Sequence, residues 1–184
     1  MIYEHSVKGR LLKSGDIIST RDGDNSIYSL GFTLLGALIP GKVDHTVIYV
    51  GPGGLCVESG IHGVISFQAS RQWNSQKMFK ERGLIDTFHA ASSALANRQL
   101  TPADEEAIRT SVCEYVLGCV GRPYNYDFFH PDTEKRFYCS QLVYLAYKKV
   151  GINLHKGGLG IPGIDRIVFP QQVLENTTLI PKTG

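Results

Sequence analysis

The sequence predicts an α+β fold, and three observations lead to this prediction. A β-branched and aromatic run, a Gly-Pro-Gly-Gly loop and a second apolar run indicate a β-hairpin over residues 45–59. Two segments, residues 102–119 and 139–150, carry apolar side chains at helical spacing. No repeating alternation of strands and helices connects these elements, which disfavours a doubly wound parallel sheet.

The remaining strands are predicted from short runs of β-branched and apolar residues. They are residues 16–20, 62–67 and 83–90. Residues 26–39 are apolar nearly all round and are predicted to form a helix, whereas residues 68–82 are polar and aromatic without a clear period. A short segment is also expected after Pro170.

Length and composition are those of an ordinary globular protein. The chain has 184 residues, 42% of them hydrophobic and 20% charged, so we expect one domain over residues 1–184 with a proper core. The net charge of +2 gives no reason to expect nucleic acid or an anionic membrane as the main partner. Composition does not predict the oligomeric state.

The sequence contains no obvious membrane or export segment. Gly36, Pro40 and Gly41 interrupt the longest apolar run, so we expect no integral membrane association. Residues 1–16 lack the apolar core of a signal peptide, and a cytoplasmic location is the expectation. A secreted chain that has lost its signal would have the same appearance.

The helix over residues 102–119 has clear start signals. Thr101 can cap its N-terminus, Pro102 suits the first turn, and acidic residues follow at the positive end of the helix dipole. One face carries the apolar residues Ile108, Val112, Tyr115, Val116 and Cys119. Cys119 lies on this stripe and Cys113 near its edge, so both are interpreted as core residues.

Cys139 stands at the start of the other helix, whose apolar stripe ends before the stop signal Gly151. Ser140 is a plausible cap, which would place Cys139 at or just before the first turn. Unpaired N–H groups and the helix dipole favour a thiolate at such a position. Cys139 is therefore the candidate nucleophile, and an inert buried thiol is the alternative interpretation.

The other cysteines and the histidines form no metal-binding motif. The four cysteines lack the spacing of a zinc site, and no His-Glu-x-x-His pattern occurs among the six histidines. We therefore expect no metal and no cofactor.

A thiolate nucleophile usually needs an imidazole partner, and His45 is the best candidate. It opens the strand "HTVIYVG", although a half-exposed histidine at a strand end is the alternative. A loop over residues 51–54 pairs Val50 with Leu55 and also puts Val47 opposite Glu58. Because alternate residues share a face, Glu58 then lies diagonally across from His45, where it can orient the imidazole. A register slip of one residue would send Glu58 to the other face.

The order of these motifs resembles the circularly permuted branch of the NlpC-type papain-like superfamily, the YaeF/YiiX-like proteins. In ordinary members the cysteine precedes the histidine, whereas in the permuted branch the histidine hairpin comes first. The resemblance covers about residues 15–151. Its motifs are Asp16 in "SGDIIST", His45 in "DHTVIYVG", Glu58 in "LCVESG", Tyr124 in "GRPYNYDF" and Cys139 in "FYCSQLVYLAY".

The resemblance implies a papain-like fold in which the cysteine helix packs on a small antiparallel sheet or barrel. It also implies that Cys139 is the nucleophile, that His45 is the general base and acid, and that Glu58 orients His45. The reaction expected by similarity is hydrolysis or transfer at an amide or related acyl bond. In such proteins a small hydroxylic residue commonly precedes the histidine, whereas Asp44 stands here.

Acyl transfer also needs donors for the tetrahedral oxyanion. The backbone N–H of Cys139 is the natural first donor and the Tyr124 hydroxyl is a candidate second donor, although Tyr124 could instead only pack in a wall. Ser140 is a further candidate for substrate binding. Arg71 and Lys77 could meet a substrate carboxylate, and a solvated surface position is the alternative for both.

The sequence therefore predicts a cysteine peptidase or amidase that acts on peptides or cell-wall-type fragments through an acyl-enzyme. One alternative is a lipid-directed acyltransferase or thioesterase that uses the same three residues. Another is a catalytically silent binding module that keeps the cleft. The expected partner is a small peptide, amino-acid-like or acyl-lipid substrate.

Overall fold

The computed structural model describes residues 1–22, 41–69, 86–156 and 163–183. The predicted helix over residues 26–39 and most of the segment 68–82 lie outside these ranges. The strands of the described part are β1 Glu4–Val7, β2 Arg10–Lys13, β3 Ile17–Asp22, β4 His45–Gly51, β5 Leu55–Gly60, β6 Gly63–Gln68, β7 Asp86–Ser93 and β8 Thr178–Leu179. Its α-helices are α1 Pro102–Gly118, α2 Cys139–Lys148 and α3 Pro170–Glu175.

Six of the strands form one antiparallel sheet in the order β6-β5-β4-β3-β7-β8, and β1 pairs with β2 in a separate hairpin. The predictions of strands at β3, β4, β5 and β6, and of the described part of β7, are confirmed. The sequence did not predict β1, β2 or β8. These strands have only four, four and two residues, too few to produce a readable alternation of apolar and polar side chains.

The hairpin of β4 and β5 has the predicted pairing of Val47 with Glu58. The predicted pairing of Val50 with Leu55 is wrong, because the register shifts after Tyr49 and Gly51 pairs with Leu55. The shift is a β-bulge, in which one strand carries an extra residue. A 3-10 turn over Pro52–Gly54 follows the bulge and closes the hairpin.

The two faces of the large sheet are covered by different elements. Ile17, Ile48 and Val57 pack on one face with the apolar stripes of α1 and α2. On the other face, Ile18 and Val47 pack with side chains of the β1–β2 hairpin. The result is a mixed α/β architecture with a large antiparallel sheet and, in the described ranges, few helices. No helix among them is long and apolar enough to cross a membrane.

Helix α1 begins and packs as predicted. The Thr101 hydroxyl accepts a hydrogen bond from the backbone N–H of Asp104 at 3.1 Å. Cys113 and Cys119 are both buried against the core. Burial raises the pKa of both thiols, that of Cys113 from 9.0 to about 12, so these cysteines are poor nucleophiles near neutral pH.

Candidate active site

Cys139 is the first residue of α2, and the residue that caps this helix is Tyr138 rather than Ser140. The prediction of Ser140 as the cap is therefore wrong. Tyr138 has the extended backbone conformation of an N-cap, and its N–H donates to the Gln141 side-chain oxygen at 3.0 Å. Ser140 lies one residue inside the helix, where its hydroxyl donates to the carbonyl of Val168 at 2.7 Å.

Cys139 occupies the first turn of α2. A first-turn N–H has no acceptor within its own helix, and the positive end of the helix dipole lies here. The Sγ atom lies 3.9 Å from the carbonyl oxygen of Asp44 and 3.9 Å from the Ser140 hydroxyl. The residue is only 7% exposed, yet it lines a pocket.

His45 and Glu58 form the pair that the hairpin register predicts. Their side chains meet with the Nε2 atom of His45 2.9 Å from an Oε atom of Glu58. Glu58 has no exposed surface, and His45 is largely buried. A buried carboxylate is costly unless it is paired, so this contact holds the imidazole firmly against β5.

Cys139 and His45 both lie near the start of β4. By strand alternation, His45 shares the face of Val47, whereas α2 packs on the face of Ile48. The contacts of the Cys139 sulfur are to Asp44 and Ser140, not to the imidazole. The structure therefore joins His45 to Glu58 and brings Cys139 to the residue before His45, without a thiol–imidazole hydrogen bond.

Tyr124 lies in the same pocket as Cys139. Its ring is buried and makes edge contacts with Tyr126 and Phe128. Burial, reinforced by the nearby Cys139, raises the pKa of Tyr124 well above its ordinary value of 10.0. The hydroxyl therefore keeps its proton and can act as a hydrogen-bond donor at any working pH.

The pocket beside Cys139 has a cavity volume of about 40 Å³ and a lining that is mainly apolar. Tyr124, Phe128 and Tyr138 contribute one part of this lining, and residues 167–170 contribute another, which we call the 167–170 wall. Cys139, Ser140 and Asp44 complete the lining. Arg71 and Lys77, the predicted carboxylate partners, lie outside the described residues.

The wall at residues 167–170 is attached to the start of α2 through Val168. Its carbonyl accepts from the Ser140 hydroxyl, and its N–H donates to the Tyr138 hydroxyl at 3.1 Å. The sequence did not predict this attachment, because the bonded residues are about 30 positions apart. Ser140 therefore shapes the pocket through its contact with Val168.

Gln141 braces the loop that carries Tyr124, and the sequence did not predict this role. Its side-chain oxygen accepts from the Asn125 amide and from the Tyr138 N–H, both at 3.0 Å. Its amide donates to the carbonyls of Pro131 and Thr133, also at 3.0 Å. A polar residue in the apolar run "CSQLVYLAY" was the available signal. The loop that carries Tyr124 is thus tied to the cysteine helix by one side chain.

Replacing Gln141 with leucine is expected to lower both stability and activity. The change leaves buried donors and acceptors unpaired, each costing about 1–3 kcal/mol, so the free energy of unfolding should fall by more than about 2 kcal/mol. Tyr124 and the pocket wall should shift relative to Cys139, which lowers kcat more than it raises KM. Urea unfolding and steady-state kinetics measure the two effects.

The exposed Gln99 provides the matched control, since Gln99→Leu should change neither quantity. A Gln141→Leu variant with unaltered kinetics but reduced stability would show that Gln141 acts on folding alone. A Gln141→Glu variant keeps the acceptor but places an oxygen against two carbonyls, so it should not restore wild-type behaviour.

An antiparallel sheet, a helix that begins at a buried cysteine, and a histidine strand that precedes this helix in the chain define a permuted papain-like protein. The chain belongs to the family described as permuted papain-like amidase enzyme, YaeF/YiiX, C92 family, whose model matches residues 19–159. The predicted family is therefore confirmed, and membership supports a cysteine hydrolase in the broad sense.

A solved structure has a similar fold. The metalloprotein YiiX from Escherichia coli O157:H7 superposes with a TM-score of 0.58 at 19% sequence identity, covering 92% of this chain and 96% of that one. At this identity the likeness concerns the fold alone. No curated protein matches the sequence. Within the described ranges, no group of three or more His, Cys, Asp or Glu side chains is placed to hold a metal ion.

Proposed function

We propose that this protein is an NlpC-like cysteine hydrolase that cleaves amide bonds through Cys139, His45 and Glu58. The observation that carries the proposal is the position of Cys139: it starts a helix, lines a pocket and contacts the residue before His45. The buried pair of His45 and Glu58 supplies an oriented imidazole at the same strand end. Peptide or cell-wall-type amides are the scissile bonds that the family resemblance favours.

In the first step the Cys139 thiolate attacks the carbonyl carbon of the amide. Because Nε2 of His45 is bonded to Glu58, the other ring nitrogen, Nδ1, is assigned to accept the thiol proton. This transfer requires the imidazole to lie next to the sulfur in the substrate complex. Catalytic hydrogen bonds are often long in free enzymes and shorten in the substrate complex.

The resulting tetrahedral oxyanion needs preorganised donors. The backbone N–H of Cys139 and the hydroxyl of Tyr124 are the two groups proposed for this role. The pKa of Tyr124, raised by burial, supports it, since the hydroxyl retains its proton. The Ser140 proton is already donated to Val168, so Ser140 is assigned to holding the pocket wall instead.

Collapse of the tetrahedral species breaks the C–N bond. Protonated His45 gives its proton to the leaving amine, and the acyl group remains on the sulfur as a thioester. Attack by water, with His45 again as the base, releases a carboxylic acid and restores the thiol. An acyltransferase would share every step up to the thioester and differ only in the nucleophile that removes the acyl group.

Alkylation with iodoacetamide near neutral pH is expected to modify Cys139 before the other cysteines. A thiol whose pKa is raised from 9.0 to about 12, as for Cys113, has a thiolate fraction about a thousandfold smaller than normal. Cys119 is shifted in the same direction. Peptide mass spectrometry of a time course measures the rate at each site, and Cys113 should react appreciably only as the pH rises toward 12.

The same assay tests the histidine assignment separately. His45→Ala and Glu58→Gln should slow the labelling of Cys139, whereas His130→Ala, at an exposed histidine, should not. If Cys139 is labelled as fast in His45→Ala as in the wild-type protein, the role of His45 is overturned and Cys139 remains the nucleophile. If Cys139 reacts no faster than the buried cysteines, the enzyme proposal is wrong and a silent binding module is favoured.

A further inference from the structure

We infer that Thr20 is a positioning residue that supports the protonated imidazole of His45 from the side opposite Glu58. The inference rests on the proposed function, because it assigns a further group to the same histidine. Strand β4, which carries His45, lies between β3 and β5 in the sheet. Glu58 contacts the imidazole from β5, so β3 provides the neighbouring residues on the other side of His45.

Strand register places Thr20 directly across from His45. The two residues are partners in the antiparallel pairing of β3 with β4. Directly opposed residues share a face, with their Cβ atoms about 4.5–5.5 Å apart. The pairing of β3 with β7 shifts between Ser19 and Thr20, whereas the pairing of β3 with β4 continues without a shift. The extra residue of this bulge therefore lies on β7, and the Thr20 side chain stays on the face of His45.

The Thr20 hydroxyl is buried among mainly apolar neighbours. Thr20 has no exposed surface, and within the described part of the chain its Oγ1 atom has no hydrogen-bond partner. Its described neighbours on the same face are Ile18 on β3, Phe88 on β7 and His45 on β4. A buried hydroxyl without a partner is unfavourable. Of these three neighbours, His45 is the one whose side chain a hydroxyl oxygen can stabilise.

An oxygen beside the imidazole becomes favourable when the ring is charged. In the proposed mechanism His45 takes the proton of the Cys139 thiol and becomes an imidazolium, whose Nε2–H points to Glu58. The Thr20 oxygen places a second negative pole beside the ring. Because interactions with the charged form raise the pKa of an imidazole, Thr20 should favour the thiolate–imidazolium pair over the neutral thiol and imidazole.

Other charged and titratable groups also lie near this pair of residues. Among the described side chains they are Glu58 on β5, Asp44 before β4, Cys139 at the start of α2, Arg21 next to Thr20 on β3, and His89 on β7. A change at Thr20 alone leaves all of them in place. A difference in the pKa of His45 between Thr20 variants therefore reports the effect of the hydroxyl.

NMR titration of histidine in a Cys139→Ala background measures this effect without requiring turnover. The His45 signal is the one that His45→Ala removes. Thr20→Val should lower the pKa of His45 by about one pH unit, the size expected for one hydrogen bond to a charged group. Thr20→Ser keeps the oxygen and should retain the pKa of the Thr20 protein.

Thr46→Val is the matched control. Thr46 is also buried, and its hydroxyl also has no partner within the described ranges. It follows His45 directly in β4, so its side chain points to the opposite face of the sheet. Thr46→Val should therefore leave the pKa of His45 unchanged.

With Cys139 intact, Thr20→Val should raise the pH at which Cys139 becomes reactive toward iodoacetamide. Below that pH the labelling rate should fall about tenfold, because one pH unit is a tenfold change in the thiolate fraction. Thermal unfolding should show that Thr20→Val is at least as stable as the wild-type protein, since an unpartnered hydroxyl is exchanged for an apolar group. A purely structural Thr20 would instead lower stability and leave the pKa of His45 unchanged.

These measurements separate the inference from the proposed function. A lower pKa of His45 in Thr20→Val, restored in Thr20→Ser, supports the role of Thr20 even if no amide is cleaved. If His45→Ala slows the labelling of Cys139 but Thr20→Val leaves the pKa of His45 unchanged, the role of Thr20 is overturned and the hydrolase proposal stands. Equal shifts in Thr20→Val and Thr46→Val would also overturn it, because the effect would not depend on the oxygen that faces His45.

Discussion

Replacement of Cys139 by alanine is expected to lower kcat/KM by at least about a thousandfold, because no other group can form the acyl-enzyme. The fold should survive, since Cys139 begins a helix in which alanine is readily accommodated. Circular dichroism and thermal unfolding establish that the variant is folded, and steady-state kinetics with an amide substrate measure the loss. Mass spectrometry should detect an acyl adduct on the wild-type protein and none on the variant.

Cys113→Ala is the matched control, because it removes another buried helix thiol away from the pocket. Its turnover should stay near the wild-type level, with a modest loss of stability from the missing core atom. Unchanged activity of Cys139→Ala would contradict covalent catalysis. Cys139→Ser should also be inactive, because a hydroxyl is far less readily ionised than a thiol.

Replacement of Arg109 by methionine is expected to cause the largest loss of stability. The Arg109 guanidinium donates to the Asp16 carboxylate at 2.9 Å and to the Ser14 carbonyl at 2.7 Å, and both ionised side chains are almost fully buried. Removing one partner of a buried ion pair typically costs about 3–5 kcal/mol. Urea unfolding should show a loss of this size, whereas Arg136→Met, at an exposed arginine, should change stability by less than about 0.5 kcal/mol.

The loss of stability in Arg109→Met should also depend on pH. Burial raises the pKa of Asp16 above its ordinary value of 3.8, and the positive charge of Arg109 opposes that rise. Without Arg109 the pKa should rise further. A carboxyl group with a raised pKa in the folded state contributes stability that is present below pH 3.8 and disappears as the pH passes the folded-state value.

The deficit of Arg109→Met relative to wild type should therefore grow as the pH rises from acidic to neutral. Adding Asp16→Asn removes the unpaired charge and keeps an oxygen for the Lys13 N–H, with which Asp16 bonds at 2.8 Å. The double variant should recover part of the lost stability at neutral pH. If the loss of stability does not vary with pH, or if the double variant recovers none of it, then Asp16 is not the buried charge that loses its partner in Arg109→Met.

Local patterns predicted much of the fold. The cap at Thr101, the helix that begins at Cys139 and the pairing of Val47 with Glu58 depend on neighbours within a few residues or within one hairpin. The errors are also local. The bulge after Tyr49 shifts the strand pairing by one residue, and the helix cap lies at Tyr138, two residues before the predicted Ser140. Side-chain periodicity predicts the existence of a helix or strand more reliably than it predicts the residues at which that element begins and ends.

By itself the sequence determined the family, the candidate residues Cys139, His45 and Glu58, and the contact between the last two. That contact lies within one hairpin, so strand alternation was sufficient to predict it.

Only the tertiary structure decided which side chains and backbone groups lie around these residues. The contact of Cys139 with Asp44, the attachment of Val168 to Ser140 and the burial of Arg109 with Asp16 join residues 28 to 95 positions apart. Such contacts depend on how helices and sheet pack together, and no local periodicity encodes that packing. For the same reason, the apolar character of the pocket emerged only when residues 167–170 were seen against the start of α2.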